Sequence, residues 1–158
     1  RGGGQRSGGD GPPPDRASDQ QLTAVGLAGE LLAYQWLLER YPTQVTEACW
    51  VSRNRAEAFT GDPGRDDLGY DFAVPFKGGT VMYEVKATTA DAGEFQLGES
   101  EVRTAQENLR NNNWRLLVVT HALDRQRRIR QLRNPFHPKS RGDYTFAGKG
   151  LRLLYRAD

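Results

Sequence analysis

Two acids and one lysine in the middle of the chain have the types and the spacing that metal-assisted hydrolysis requires. Glu84 and Lys86 stand two residues apart in the segment MYEVKA, and side chains at that spacing share one face of a strand. Asp71 lies upstream in the segment GYDF. Two carboxylates held close together repel each other unless a cation lies between them, and oxygen ligands suit Mg²⁺ or Mn²⁺. Such an ion holds a scissile phosphate and acidifies a bound water, while the lysine can position or deprotonate that water and stabilise developing charge.

The residues between the two acids predict a hairpin, and its turn decides whether the acids meet. A two-residue turn at Gly78-Gly79 would make Asp71 and Glu84 diagonal neighbours, within roughly 7–8 Å at Cα. A four-residue turn over residues 76–79 would place the two acids directly opposite each other. Any even-length turn keeps both acids on the face of Lys86, whereas an odd-length turn without a bulge separates Asp71 from the other two.

The opposite faces of the two hairpin strands are apolar, which favours a hairpin packed on a core. Their residues are Tyr70, Phe72, Val74, Val81, Tyr83 and Val85. Val85 therefore points into the core, and its carbonyl is a candidate further ligand for the ion. The alternative is a solvated face on which Glu84 and Lys86 form a weak surface ion pair.

Hydrophobic periodicity and turn residues predict two helices and a set of strands. The first helix is predicted over Asp19–Tyr41, with Ser18 as its N-cap and with Gly26 and Gly29 packed close to another element. Glu30 follows beside an apolar turn. The extended segments are predicted at residues 48–53, 69–74, 80–88, 94–97, 114–120, 128–132 and 151–155, and the second helix from Glu99 or Ser100 to the asparagines at 111–113.

The order of these elements is helix, three strands, helix, strand, strand. It predicts an α/β sandwich with a mixed sheet, whose central strands are joined by a hairpin and by a helical crossover. Residues 114–120, WRLLVVT, are apolar enough for a strand buried on both faces.

The 158 residues suit one domain and a tail. Residues 1–18 consist mainly of glycine, proline and charged residues, which predict a disordered linker, and residues 19–158 are predicted to form one domain. We expect the chain to be part of a longer protein with further domains. The single cysteine, Cys49, favours an intracellular compartment, cytoplasmic or nucleoid/nuclear, and no run approaches the roughly 20 apolar residues of a membrane span.

Charge is unevenly distributed although the formal net charge is only +2. Residues 21–102 hold 6 basic and 13 acidic side chains, and residues 103–158 hold 13 basic and 4 acidic ones. Basic surface beside clustered acids suits a polyanion held near metal-binding carboxylates, so nucleic acid is the predicted partner. The candidate phosphate contacts are Arg125, Arg127, Arg128 and Arg130. A solvated loop and edge strand is an equally open interpretation of these arginines.

The segments GYDF and YEVKAT resemble the PD-(D/E)XK nuclease superfamily, with Asp71, Glu84 and Lys86 at the motif positions. Tyr70 stands where that superfamily usually has proline. The order of motifs over residues 22–136 more closely resembles the DUF3883 family, the domain also found at the C-terminus of the plant NO VEIN protein. The matching positions are Gly26, Gly29 and Glu30; Gly69, Asp71 and Phe72; Glu84, Val85 and Lys86; Phe95, Leu97 and Glu101; and Asn134 and Pro135.

This resemblance implies a restriction-endonuclease-like α/β/α sandwich with a central mixed sheet. It also implies metal-dependent cleavage of nucleic acid, with DNA as the expected substrate, by a C-terminal module of a larger protein. Glu30 would help to bind a second ion or a water, and Glu101 would lie near the site mouth at the start of the second helix. Thr88 and Gln96 are candidate substrate contacts, although both suit ordinary strand residues. The alternatives are an inactive nucleic-acid- or protein-binding module of the same fold and a structural accessory domain.

Overall fold

The computed structural model describes residues 19–91, 94–147 and 152–155, and it contains there two helices, seven strands and three 3-10 helices. The helices are α1 (Asp19–Arg40) and α2 (Glu99–Glu107). The strands are β1 (Phe72–Phe76), β2 (Gly79–Ala87), β3 (Glu94–Gln96), β4 (Trp114–Thr120), β5 (Arg128–Arg133), β6 (Tyr144–Ala147) and β7 (Arg152–Tyr155). The 3-10 helices are Glu47–Cys49, Arg53–Glu57 and Pro138–Ser140. The predicted linker and the predicted N-cap Ser18 lie outside the described residues, among which no helix is long and apolar enough to cross a membrane.

Four strands form a mixed sheet in the order β1-β2-β4-β5. β1 and β2 are an antiparallel hairpin, β2 and β4 run parallel, and β4 and β5 run antiparallel. Residues 116–119 of β4 are apolar and buried, which confirms the prediction of a strand covered on both faces. The parallel pair needs a crossover, which β3 and α2 supply. The predicted mixed α/β architecture is therefore confirmed.

α1 covers one face of this sheet. The core between them contains Val25, Ala33, Leu37, Phe72, Val74, Tyr83, Val85, Leu117 and Val119. Gly29 lies so close to β2 that an added Cβ would collide with the Cβ of Ala87. Close packing of the helix glycines is thus confirmed for Gly29, but it is wrong for Gly26, where an added Cβ would meet nothing within 4 Å.

α2 and a second sheet cover the opposite face. The second sheet has the order β3-β7-β6, and both of its strand pairs are antiparallel. The second core contains Phe95, Leu97, Ala105, Trp114, Leu116, Val118 and Leu153. The sequence did not predict β6, because its 4 residues are too few for alternation to be informative.

The strand predicted over residues 48–53 is wrong. The segment lies between and within two 3-10 helices, and Trp50 makes only an isolated bridge to Phe72. The side chains of Trp50 and Ser52 both donate to Glu30 of α1. This segment is therefore held to the helix by side chains and to Asp71 by the backbone N–H of Val51, and it forms no continuous ladder with the sheet.

β1 begins at Phe72, three residues later than the predicted start at Gly69. Tyr70 consequently lies outside the strand and packs against the second core. The prediction that Tyr70 shares an apolar face with Phe72 and Val74 is therefore wrong.

α2 ends at Glu107, before the predicted stop at residues 111–113. Asn108 ends the helix because its side chain bends back and donates to the carbonyl of Thr104 at 2.8 Å. The described ends of the other predicted elements agree with the structure within one residue.

Candidate active site

The register of the β1–β2 hairpin determines which residues share a face. The first and last residues of the segment 76–79 pair with each other. This is the register predicted for the four-residue turn, and the Gly78-Gly79 alternative is wrong. Continued past the start of β1, the register places Asp71 across from Glu84, and both residues line one cavity.

Asp71 joins the hairpin through both its backbone and its side chain. Its backbone N–H donates to the carbonyl of Tyr83 at 2.9 Å. Its Oδ2 accepts the backbone N–H of Val85 at 2.8 Å. The Asp71 carboxylate thus accepts the Val85 N–H, which has no backbone acceptor from β1 because β1 begins only at Phe72. This hydrogen bond holds the carboxylate beside β2.

The cavity has a volume of about 260 Å³ and is strongly acidic. Its lining residues are Glu30, Asn54, Asp66, Gly69, Tyr70, Asp71, Glu84, Val85 and Glu101. Within the described part of the chain, no lysine or arginine lines it. A cation of small radius is therefore the ligand that this cavity suits best on charge.

Lys86 lies between two of these acids. Its Nζ is 2.9 Å from Oε1 of Glu84 and 2.9 Å from both carboxylate oxygens of Glu101. Glu101 lies in the first turn of α2 and also accepts the N–H of Gly98 at 2.9 Å, so the helix start positions it. The expected location of Glu101 beside the site agrees with this arrangement.

The same contacts determine the protonation of Lys86. Burial alone lowers the pKa of its ammonium group, but the charges of Glu84 and Glu101 outweigh burial and raise the pKa above its ordinary value. Lys86 is therefore protonated at neutral pH. It can position a water and stabilise negative charge, but in this arrangement it cannot remove a proton from the water.

For the carboxyl groups of Asp71 and Glu84, burial and neighbouring negative charge outweigh the attraction of Lys86, so the neutral form is favoured. Burial raises the pKa of the Asp71 carboxyl well above its usual range, and the charge of Glu30 raises it further. Burial also raises the pKa of Glu84, with Asp71 adding to the effect and Lys86 only partly opposing it. One lysine does not neutralise this group of carboxylates, so a divalent cation would relieve the repulsion.

Val85 adds a backbone oxygen to the same wall. The N–H groups of Met82 and Thr88 donate to Asn113 and Val119, so the even-numbered residues of β2 pair with β4. The backbone groups of Val85 therefore point toward the side of β1, where its N–H meets Asp71 and where the residue lines the cavity. Its carbonyl therefore points toward the β1 side, and its role as a ligand stays a prediction.

The donor set fits a hard cation. Two carboxylates and a backbone carbonyl are the oxygen ligands that Mg²⁺ and Mn²⁺ accept, with water completing the coordination. No group of three or more His, Cys, Asp or Glu side chains within the described ranges has the geometry of a metal site. The fit therefore rests on Asp71, Glu84 and the Val85 carbonyl.

Glu30 is buried next to the cavity and held by three donors. Its Oε2 accepts Trp50 Nε1 at 2.7 Å and the hydroxyl of Ser52, and its Oε1 accepts Asn54 Nδ2 at 2.6 Å. Burial raises its pKa despite these hydrogen bonds. Both carboxylate oxygens of Glu30 already accept hydrogen bonds. Glu30 is therefore better suited to hold Trp50, Ser52 and Asn54 in place than to bind an ion.

Sequence reasoning missed Trp50, Ser52 and Asn54 as partners of Glu30. Trp50 and Ser52 are two residues apart, a spacing that places both side chains on one face of an extended chain, and this was the available signal for those two. Asn54 lies in the 3-10 helix Arg53–Glu57, so alternation gave no signal for its contact with Glu30.

Thr88 and Gln96 meet beside the lysine. They line a second cavity, of about 190 Å³, together with Lys86, Phe95 and Val118. The structure thus places both candidate contact residues next to the acidic cavity, although Gln96 lies in β3 and Thr88 directly follows the end of β2.

The four candidate arginines divide into two groups. Arg128 and Arg130 belong to β5, at the opposite edge of the sheet from β1. Arg125 and Arg127 are exposed in the preceding loop, and Arg127 lines a groove beside Trp36 of α1. The structure therefore does not bring all four to one surface.

Comparisons with known proteins identify one family. Residues 29–132 match the family model described as Protein NO VEIN, C-terminal. Neither a curated protein nor a solved structure matches the chain. The matched range contains Glu30, Asp71, Glu84, Lys86 and Glu101.

Proposed function

The chain belongs to the family of the Protein NO VEIN C-terminal domain, and within that family we propose that it is a metal-dependent nuclease-like domain. It hydrolyses phosphodiester bonds in nucleic acid, with DNA as the expected substrate, as a module of a larger intracellular protein. The observation that carries this proposal is the convergence of Asp71 and Glu84 on one acidic cavity, with the ammonium group of Lys86 paired to Glu84 beside it.

The proposal includes a restriction-endonuclease-like core of the PD-(D/E)XK type. Four features support it: a helix before the sheet, a hairpin that carries the first acid, a central strand that carries Glu-x-Lys, and a helical crossover to a parallel strand. The second sheet is an addition to that core on the face of α2.

The residues divide the chemistry among themselves. Asp71, Glu84 and the Val85 carbonyl would hold Mg²⁺ or Mn²⁺. Such an ion, when bound, neutralises the charge of the phosphate and lowers the pKa of the attacking water. Lys86 stays protonated, orients that water and stabilises the negative charge that develops on the phosphate.

Glu101 and Glu30 position Lys86 and Asp71, respectively. Glu101 holds the ammonium group of Lys86 from the side of α2. Glu30, fixed by its three donors, forms the wall behind Asp71. Neither residue needs to touch the substrate for these roles.

The test is cleavage of single- and double-stranded DNA and RNA in the presence of Mg²⁺ or Mn²⁺. We expect Lys86→Ala to lower the rate by about 10²- to 10⁴-fold, because it removes charge stabilisation at the phosphate. Lys77→Ala, at the exposed tip of the hairpin, is the matched control and should cleave at the wild-type rate. Equal rates for the two variants would overturn the assignment of Lys86.

An inactive nucleic-acid- or protein-binding module is the second candidate. The observation that favours it is that the ammonium group of Lys86 already forms ion pairs with Glu84 and Glu101, which leaves it less able to contact a phosphate. A protein that binds oligonucleotides but cleaves no form of DNA or RNA with either ion would support this candidate over the nuclease.

A further inference from the structure

A groove at the β5 edge of the sheet combines arginines with tyrosine rings. Its larger part, of about 350 Å³, is lined by Arg128, Arg130, Gln126 and Tyr155, with Asp91 contributing a carboxylate. Its smaller part, of about 230 Å³, shares Arg130 and Tyr155 and adds Arg133, Tyr144 and a second carboxylate, Asp143. We call the two parts together the arginine–tyrosine groove.

The groove lies on the same face of the sheet as the acidic cavity. Lys86 pairs with Val118, and Val118 pairs with Arg130, so these three residues form one row across β2, β4 and β5. Because neighbouring strands are about 4.8 Å apart, Arg130 lies roughly 10 Å from Lys86 at Cα. The cavity that contains Lys86 and Val118 lies along this row. The groove and the acidic cavity therefore lie at opposite ends of one row on the same face, with the cavity that contains Lys86 between them.

The groove suits a polyanion with exposed bases. Residues 103–158, which supply its arginines, have 13 basic and 4 acidic side chains. The guanidinium of Arg130 lies over the ring of Tyr155 at 6.0 Å, which keeps a cation beside an aromatic ring. Arginines next to partly exposed rings bind phosphates and stack on bases in proteins that hold single strands.

The size of the groove favours one strand over two. The second sheet packs on the middle of this face through Phe95 and Leu153, so the face is not an open surface. What remains are cavities of about 190 to 350 Å³, near the lower limit for a site that encloses one small molecule. Bases paired inside a duplex cannot reach a ring in such a cavity.

We propose that the arginine–tyrosine groove binds single-stranded nucleic acid and leads it toward the acidic cavity. Binding at the groove is independent of the proposed nuclease function, and only delivery to the cavity rests on it. The groove narrows the substrate class to single strands, or to the single-stranded part of a longer molecule.

The test measures binding of a fluorescent oligothymidylate and of a blunt duplex of the same length, with EDTA present so that cleavage does not interfere. We expect Arg130→Gln to weaken single-strand binding roughly 3- to 10-fold and to reduce its salt dependence. We expect Tyr155→Ala to weaken it roughly 5- to 100-fold and Tyr155→Phe to retain it, because the ring rather than the hydroxyl stacks on a base.

Arg110→Gln is the matched control, because Arg110 carries the same charge but is exposed beyond the end of α2 and lines neither part of the groove. It should bind the oligothymidylate nearly as wild type does. An equal loss in Arg110→Gln and Arg130→Gln would overturn the proposal, as would tighter binding of the duplex. Competition by polyglutamate as effective as that by unlabelled oligothymidylate would also overturn it, in favour of an acidic peptide ligand.

Two further outcomes separate this proposal from the nuclease. If Lys86→Ala and wild type both fail to cleave, but Arg130→Gln still weakens binding, the nuclease fails and the groove stands. If wild type cleaves single strands and Arg130→Gln binds and cleaves them equally well, the groove fails and the nuclease stands. A thermal unfolding curve for each variant excludes loss of the fold.

Discussion

Asp71 is tied to Val85 of the neighbouring strand by a 2.8 Å hydrogen bond from the Val85 N–H to its Oδ2. Val85 lies between Glu84 and Lys86, so this bond fixes one acid of the cavity beside the other. It also prevents Asp71 from moving away to relieve the repulsion. Burial raises the pKa values of both Asp71 and Glu84 well above their usual ranges, and the neighbouring acids raise them further, although the hydrogen bond from Val85 opposes the shift at Asp71.

We expect the protein in EDTA to lose stability as the pH rises from about 5 to 8. In the unfolded chain Asp and Glu release their protons near pH 4. The folded protein retains protons on Asp71, Glu84 and Glu30 to higher pH, because burial raises their pKa values. Stability falls with pH wherever the folded state binds more protons than the unfolded state. Urea midpoints across this range measure the effect.

Asp71→Asn should flatten that dependence and stabilise the protein at pH 8 by roughly 1–2 kcal/mol, because it removes a buried charge and keeps an acceptor for Val85. Asp67→Asn is the control, since Asp67 is exposed beside Arg65 and its pKa is lowered to about 2. A wild-type urea midpoint that rises from pH 5 to 8 would contradict the sign of the effect.

We expect Mg²⁺ or Mn²⁺ to stabilise the wild-type protein and not Asp71→Asn. An ion that binds only the folded state at a hundredfold excess over its Kd adds about 2.7 kcal/mol, which raises Tm by several degrees. Differential scanning calorimetry with each ion, followed by EDTA, measures the gain and its reversal. Asp67→Asn should respond as wild type does, and an equal rise in Asp71→Asn would place the ion elsewhere.

The sequence predicted that Asp71, Glu84 and Lys86 share one face because side chains on a strand return to the same face every two residues. Hairpin parity alone placed Asp71 with Glu84, and the spacing of Glu84 and Lys86 fixed their common face. The exact turn did not matter for that conclusion, which explains why the three side chains lie together although the Gly78-Gly79 turn was wrong. The prediction for Tyr70 was wrong because the alternation of side chains continues in the sequence beyond Phe72, where the backbone pairing of β1 with β2 begins.

Tertiary contacts decided what the sequence could not predict. The segment around Trp50 has strand-like composition, but its indole and Ser52 are anchored to Glu30, a residue far earlier in the chain. The pairing of Lys86 with Glu101 similarly depends on where α2 returns to the sheet. Such contacts join elements that local patterns treat separately.

Ser52→Ala should lower the free energy of unfolding by roughly 1–3 kcal/mol, because the buried Glu30 carboxylate then loses one of its donors. The loss should shrink in a Glu30→Gln background, where the hydrogen bond is no longer assisted by charge. A double-mutant cycle from urea unfolding measures the coupling. Additive effects of the two substitutions would mean that Ser52 acts on stability through some other contact.

Two glycines three residues apart in α1 should respond to alanine with opposite signs. At Gly29 the added methyl group would collide with Ala87 of β2, so Gly29→Ala should destabilise the protein by roughly 1–3 kcal/mol and push Glu30 away from the cavity. At Gly26 an added Cβ meets nothing, so Gly26→Ala should stabilise the helix by up to about 1 kcal/mol. Urea unfolding of the two variants checks both signs. Stabilisation by both substitutions would mean that α1 does not pack on β2 through Gly29.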